Sequence, residues 1–225
     1  MVGFFDSGVG GTCVLEAFRQ LCPEEQTVYV ADTENCPYGN KPPEEIVRLS
    51  KRIAADLIER GCEVVVVACN TATAAAIDTL RATWPGVPFV GMEPAIKPAA
   101  LGSKTGVVGV LATRGTFNGR LYRQTSSRVL GSVKIIEAIA DEFVTLVERG
   151  ETVGPAVESA VRARLEPLLA AGADRIVLGC THFPHLKPVM EKVVAGRAKI
   201  VDPSDAVARR VRDVLQTARR AKHED

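Results

Sequence analysis

No apolar run among the 225 residues reaches the ~18 that a helical membrane span needs. Nor does the chain open with the charged-then-apolar layout of a secretory leader, so the expectation is a cytoplasmic protein with no membrane partner. Cys-x-x-Cys is absent, and six cysteines without a leader read as reduced thiols, not as a disulfide framework. Basic clusters are missing too: 28 Lys and Arg stand against 27 Asp and Glu and are spread along the chain, which removes the electrostatic footprint of a nucleic-acid partner. The arginine-rich "ARRVRDVLQTARRAKHED" reads as the solvated face of a last helix. Neither Gly-x-Gly-x-x-Gly nor Gly-Lys-Ser/Thr occurs, so the usual phosphate-cradling loops are excluded. Cys180, His182 and His185 form a metal-like cluster. A strand end followed at once by a helix start gives poor geometry for one ion, no fourth ligand is apparent, and no metal is expected.

What the chain does have is alternation. Short apolar runs take turns with amphipathic stretches of helical length, the pattern of parallel βαβ units. Strands are expected at Val2–Phe5, Thr27–Ala31, Val64–Ala68, Val87–Gly91, Thr105–Val110, Val133–Glu137, Arg175–Gly179 and Lys199–Val201. Pro43–Arg60 is the clearest helix: proline opens it, Ile46, Leu49, Ile53, Leu57 and Ile58 make one apolar stripe, and Gly61 closes it. Ser159–Ala171 and Ala206–Ala221 carry similar stripes.

The pattern is also written twice. "GCEVVVVAC" (61–69) lies over "GADRIVLGC" (172–180) without a gap, an offset of 111 residues. "FVGMEPAI" from Phe89 falls over "IVDPSDAV" from Ile200 at the same offset. A helix-closing glycine, an acid, a buried strand and a cysteine recur as one unit, which reads as internal duplication. In open α/β sheets ligands bind beyond the carboxyl ends of the strands, so two such halves would aim Cys69 and Cys180 into one cleft.

The residues after each strand are thiols, hydroxyls, an amide, a carboxylate and an imidazole: Asp6-Ser7, Cys69-Asn70-Thr71, Thr113 and Thr116, Cys180-Thr181-His182. Cations are nearly absent there, Arg114 being the exception, so a small anion would be held by neutral donors and helix N-termini. A helix start or a neighbouring imidazolium also favours thiolate. One cysteine at a strand end is usually a packing residue, and Cys13, Cys22, Cys36 and Cys62 are read so. Two at duplicated positions, each beside polar caps, suit a proton moved between opposite faces of one carbon. A single nucleophilic cysteine would need one base and an oxyanion hole, not a second cysteine. In "FDSGVGGTCVL" the glycines read as a tight turn needing positive φ, while Asp6 is kept as functional.

Six segments in order, "FFDSGVGG", "ADTENCPYGNK", "ACNTATAAA", "VGMEPAIKPA", "ATRGTF" and "LGCTHFPHL", resemble the cofactor-independent aspartate/glutamate racemase superfamily, on its glutamate side, over essentially the whole chain. The resemblance implies interconversion of L- and D-glutamate without cofactor or metal, for peptidoglycan synthesis. It also implies two pseudo-symmetric parallel-sheet α/β domains, 1–92 joined by 204–225 and 93–203, with the active site in the cleft between them, and a homodimer. Carried over residue by residue, Cys69 and Cys180 fall on the catalytic thiols, assisted by Asp6 and His182 respectively. Asp6, Ser7, Tyr38, Gly39, Asn70, Thr71, Thr181 and His182 fall on substrate-contacting positions. Pro37, Thr113 and Thr116 fall on adjoining pocket segments, and Glu148 falls near an acidic position close to His182. Alternatives are an aspartate racemase of the same superfamily, a non-catalytic amino-acid-binding protein, which would not need paired thiols, and a phosphatase built on Asp6, which would need Mg²⁺.

Overall fold

The computed structural model describes residues 1–129 and 131–224, with side chains described through Ala221. Asp225, the end of the segment expected to complete the first domain, lies outside the described residues. The chain forms two compact units, Met1–Met92 with Ser204–Asp225, and Glu93–Pro203.

The first unit contains β1 (Val2–Asp6), α1 (Thr12–Leu21), β2 (Thr27–Ala31), α2 (Pro43–Glu59), β3 (Val64–Val67), α3 (Asn70–Thr83) and β4 (Phe89–Gly91). Its sheet has the order β2-β1-β3-β4 and all pairs are parallel, with Val2 opposite both Thr27 and Val64. β1 and β3 are the central strands, and every residue of both is buried. That is why they read as unbroken apolar runs and not as alternating ones. Their side chains still alternate between faces. Phe5, Val65 and Val67 pack with Ile46, Leu49, Ile53 and Leu57 of α2 and Ile77 and Leu80 of α3. Phe4, Val64 and Val66 pack instead with Val14, Leu15 and Phe18 of α1. That second face is completed by Val207, Val211 and Leu215 of the last helix, which spans Ser204–Glu224.

The second unit contains α4 (Ile96–Gly102), β5 (Val107–Ala112), α5 (Arg114–Asn118), α6 (Arg120–Ser127), β6 (Lys134–Ile139), α7 (Asp141–Glu148), α8 (Pro155–Ala170), β7 (Arg175–Gly179), α9 (Lys187–Val194) and β8 (Lys199–Val201); the last helix of the chain is therefore α10. Its order, β6-β5-β7-β8, again all parallel, repeats the first sheet strand for strand. All eight expected strands form; Thr27–Ala31, Arg175–Gly179 and Lys199–Val201 keep the expected ends and the other five shift by one or two residues at one or both ends. β5 begins two residues late because the chain bends at 104–106, ahead of the strand. Asp174 accepts from Ser103 Oγ and Lys104 N, both at 2.6 Å, and Gly106 takes φ +73°. β4 loses Val87 and Pro88 because Val87 N bonds Trp84 O in the turn that follows α3. α8 starts at Pro155, four residues before the expected Ser159, since proline at the first helical position loses no hydrogen bond. Among the described residues no helix is long and apolar enough to cross a membrane.

One charge cluster fixes α10 to the first sheet. Arg219 bonds Glu25 at 2.6 and 2.9 Å and Glu63 at 3.0 Å, and the Met1 amino group bonds Glu63 at 2.8 Å. Arg219 and then the amino group hold the Glu63 carboxyl well below its ordinary 4.5, at about 2. A depressed carboxyl pKa stabilises the fold above the unfolded value and loses that contribution as pH falls through the folded one. Glu63→Gln should therefore be less stable than wild type at pH 6, by urea denaturation, with the gap closing between pH 4.5 and about 2. A gap unchanged across that window would refute the assignment.

Candidate active site

Polar residues gather beyond the carboxyl ends of each sheet, where strand-ending side chains have left the core but are still walled by it. In the first unit Asp6 ends β1 fully buried. Its Oδ1 accepts from Ser7 N at 2.7 Å and its Oδ2 from Gly11 N at 2.7 Å. Cys69 caps α3: its Sγ accepts from Ala72 N at 3.4 Å, so a helix N-terminus faces the sulfur and favours thiolate. The thiol donates to Ser7 Oγ at 3.8 Å, and Ser7 Oγ donates to Asp6 Oδ1 at 3.3 Å. Thiol, hydroxyl and carboxylate thus form a short proton path.

Asn70 and Thr71 open α3 and are buried. Among the described residues neither Oδ1 nor Nδ2 of Asn70 has a hydrogen-bond partner. Tyr38 lies in a short 3₁₀ turn, Tyr38–Asn40, and is buried, while Pro37 before it is exposed and Gly39 half-buried. Burial, and then the bond from its hydroxyl to Asp32, push the Tyr38 phenol far above its ordinary value, so it stays a hydrogen-bond donor.

The glycine loop departs from expectation. Gly11 has an ordinary φ of −66°; what demands glycine is closeness. A Cβ there would stand 2.8 Å from Ala68 Cβ and from Ala68 O, and 2.9 Å from Asp6 Cβ. Only a bare backbone brings the Gly11 N–H onto Asp6.

In the second unit Cys180, Thr181 and His182 follow β7 and all three are buried. The expected helix does not start there. A 3₁₀ turn, Phe183–Leu186, comes first, and α9 begins only at Lys187, so Cys180 does not cap a helix as Cys69 does. It has an imidazole instead: Sγ lies 3.8 Å from His182 Nδ1, and His182 Nε2 lies 2.5 Å from Glu148 Oε1 at the end of α7. A carboxylate accepting at Nε2 puts the ring proton there and presents Nδ1 to the thiol as a proton acceptor. Thr113 caps α5 by accepting from Thr116 N at 3.4 Å, and the two hydroxyls are 3.0 Å apart. Arg114 is exposed, its backbone N–H bonded to Asp141.

Within the first unit, then, Asp6, Ser7, Cys69, Asn70 and Thr71 meet at one sheet edge. Within the second, Cys180, Thr181, His182 and Glu148 do, with Thr113 and Thr116 after β5. None of the other cysteines is bridged. Cys22, Cys62 and, less deeply, Cys13 pack in the cores of the first unit, and burial raises the thiol pKa of Cys22 and Cys62. Cys36 is only half-buried and belongs to neither core, so the packing role expected of it is not seen. Sequence reading passed over Asp32, buried directly after β2, although it follows an apolar strand just as Asp6 does.

A family model for Asp/Glu/hydantoin racemases matches residues 12–211. The glutamate racemase of Herpetosiphon aurantiacus is 46% identical over 217 residues, which cover 96% of this chain and 85% of that one. The crystal structure of Escherichia coli glutamate racemase, in complex with L-glutamate and the activator UDP-MurNAc-ala, matches at a TM-score of 0.88 and 36% identity, over 96% of this chain and 82% of that one. Glutamate racemase from Francisella tularensis in complex with D-glutamate matches at 0.83 and 26%, over 97% and 81%. An aspartate racemase homologue from Pyrococcus horikoshii, at 18% identity and a TM-score of 0.61 over 96% and 98%, shares the fold alone.

Proposed function

This chain belongs to the Asp/Glu racemase family, and from that premise we propose that it is a glutamate racemase, moving one proton at Cα between two thiols without a cofactor. One observation carries the reading: the duplicated strand-end cysteines each have a proton partner, and the partners differ. Cys69 has Ser7 and Asp6, together with the start of α3. Cys180 has His182 backed by Glu148. On this reading one thiol serves each face of Cα of a single glutamate. One thiolate removes the proton, the resulting carbanion is held by neutral donors, and the opposite thiol protonates it. D-Glutamate formed this way serves peptidoglycan synthesis, the role of such racemases. The proposal includes a cytoplasmic location, where catalytic thiols stay reduced, and a homodimer, which light scattering at the mass of one 24.0 kDa chain would rule out.

The test uses L-glutamate in D₂O, stopped at early times. Product should carry deuterium at Cα while remaining substrate stays protiated, because the returning thiol has exchanged with solvent. A single base working on both faces would return original hydrogen to product or wash label into both enantiomers. Activity should persist in a metal chelator, which separates this reading from an Mg²⁺-dependent phosphatase.

Asn70 supplies a second test. An amide with 3% exposure and no partner costs about 1–3 kcal/mol unless something meets it. Glutamate offers a carboxylate for Nδ2 and an ammonium for Oδ1. Asn70→Leu should therefore melt higher than wild type yet raise KM for glutamate at least ~10-fold, as expected for losing a hydrogen bond to a charged group. An unchanged KM would remove Asn70 from the pocket.

A further inference from the structure

The two sheets superimpose in register through their backbone bonds. Asp6 pairs with Ala31 and Asp32 N donates to Asp6 O at 3.0 Å; Ala112 pairs with Ile139 and Ala140 N donates to Ala112 O at 3.1 Å. Position 32 of the first half therefore corresponds to position 140 of the second. The same strand end and the same turn are made with alanine there, so the fold itself does not require a carboxylate at this point. Burying one is costly unless its oxygens are met.

Those of Asp32 are met by a specific set. Oδ2 accepts from Tyr38 Oη at 2.6 Å, and Oδ1 accepts from Asn35 Nδ2 at 2.9 Å and Arg52 Nη2 at 3.2 Å. Arg52 is more than half exposed, so its ion pair is weak support. The buried Tyr38 bond is the strong one. Tyr38 is 1% exposed, and its ring belongs to the same apolar cluster as Cys69, Leu49 and Ile53. The turn it heads packs against α3, the helix that Cys69 caps. The phenol stays protonated because burial and Asp32 both oppose its ionisation, so the donor is always present.

We infer that Asp32 is a positioning residue for the Cys69 side of the reaction: by holding the Tyr38 hydroxyl it fixes the aromatic wall and the Tyr38–Asn40 turn beside that thiol. It touches neither substrate nor sulfur in this role. The inference rests on the racemase reading above.

The experiment compares wild type, Tyr38→Phe, Asp32→Asn and the double variant, measuring kcat and KM from both enantiomers by circular dichroism alongside Tm. Each single variant should lose about tenfold in kcat/KM, the scale of one hydrogen bond to a charged group. The double variant should lose no more than the worse single one, since all three act on the same bond: Asp32→Asn leaves only a neutral acceptor and Tyr38→Phe removes the donor. The enantiomer that loses kcat should be the one that loses it in Asp6→Asn, and the opposite of the one affected by His182→Asn. A merely structural Asp32 would lower Tm and leave this split untouched. Folded variants with kcat/KM within twofold of wild type, additive losses, or no preference between enantiomers would each overturn the inference. Should Asp32→Asn not fold, Tyr38→Phe decides alone, because it keeps the ring and removes only the bond. An inactive wild type would end the racemase reading and this inference with it, whereas an active wild type with unaffected variants would end the inference alone.

Discussion

Cys180→Ala is expected to reduce glutamate racemisation by ~10⁴-fold or more, the upper range for losing a positioned proton donor and acceptor, and Cys69→Ala should do the same. Neither substitution should unfold the protein. Each removes one sulfur from a strand end, at 8% and 5% exposure, and leaves the sheet contacts of Leu178 and Val67 intact. The informative residue of activity is exchange. With Cys180 gone, the Cys69 thiolate still receives the Ala72 N–H and still has Ser7 as its proton partner. It can take a proton from the face it serves and return deuterium to that same face. One enantiomer of glutamate should then exchange its Cα hydrogen in D₂O without inverting, while the other stays inert. Cys69→Ala should reverse which enantiomer exchanges. A Cys180→Ala enzyme racemising at the wild-type rate would reduce the second cysteine to an echo of the duplication.

His182→Asn is expected to lower kcat/KM by about 10²-fold, the lower range for removing a general base, and to do so equally from either enantiomer. The equality is forced: mirror-image substrate and product have an equilibrium constant of one, so kcat/KM must match in the two directions in any variant. How the loss divides is not forced. Without an acceptor 3.8 Å from its sulfur, the form of the enzyme ready to take a proton through Cys180 becomes scarcer. The enantiomer that binds this form should show a raised KM, because binding must now draw on a scarcer species. The other enantiomer binds the form with Cys180 protonated and should instead lose kcat. Asp6→Asn, acting through Ser7 on Cys69, should exchange the two patterns. Glu148→Gln should resemble His182→Asn more weakly, since the amide can still meet Nε2 but no longer supports imidazolium as a carboxylate does. Equal losses of kcat from both enantiomers, with KM unchanged, would mean that His182 does not serve one thiol in particular.

The strands, the repeat and the chemistry-bearing residues after each strand were legible in the amino-acid order because they rest on short-range rules. Four consecutive valines before Cys69 can only be a strand covered on both faces, and proline before and glycine after α2 mark its ends without reference to anything distant. An offset that stays at 111 residues through two successive strands requires no structure to be seen. Because parallel strands place their carboxyl ends on one edge, Asp6, Cys69 and Thr71 could be grouped from sequence alone, as could Thr113, Cys180 and His182.

What the tertiary structure decided concerns pairs far apart in the chain, whose meeting depends on packing angles that no local pattern encodes. Glu148 reaches His182 across 34 residues because the end of α7 is carried to the turn after β7, where Phe143 stacks edge-on against Phe183 at 5.3 Å. Ser7 stands between Asp6 and Cys69, 62 residues away, because β1 and β3 pair side by side. Gly11 is fixed by a contact with Ala68 and not by its own φ, a steric fact visible only once the loop and β3 are placed together. The sequence placed a helix start directly after each cysteine, yet the structure gives Cys69 a helix N-terminus and Cys180 an imidazole followed by a 3₁₀ turn. The backbone repeats because strand pairing depends on main-chain bonds that every residue carries. The sites diverge because side-chain partners come from loops that the pairing leaves unconstrained.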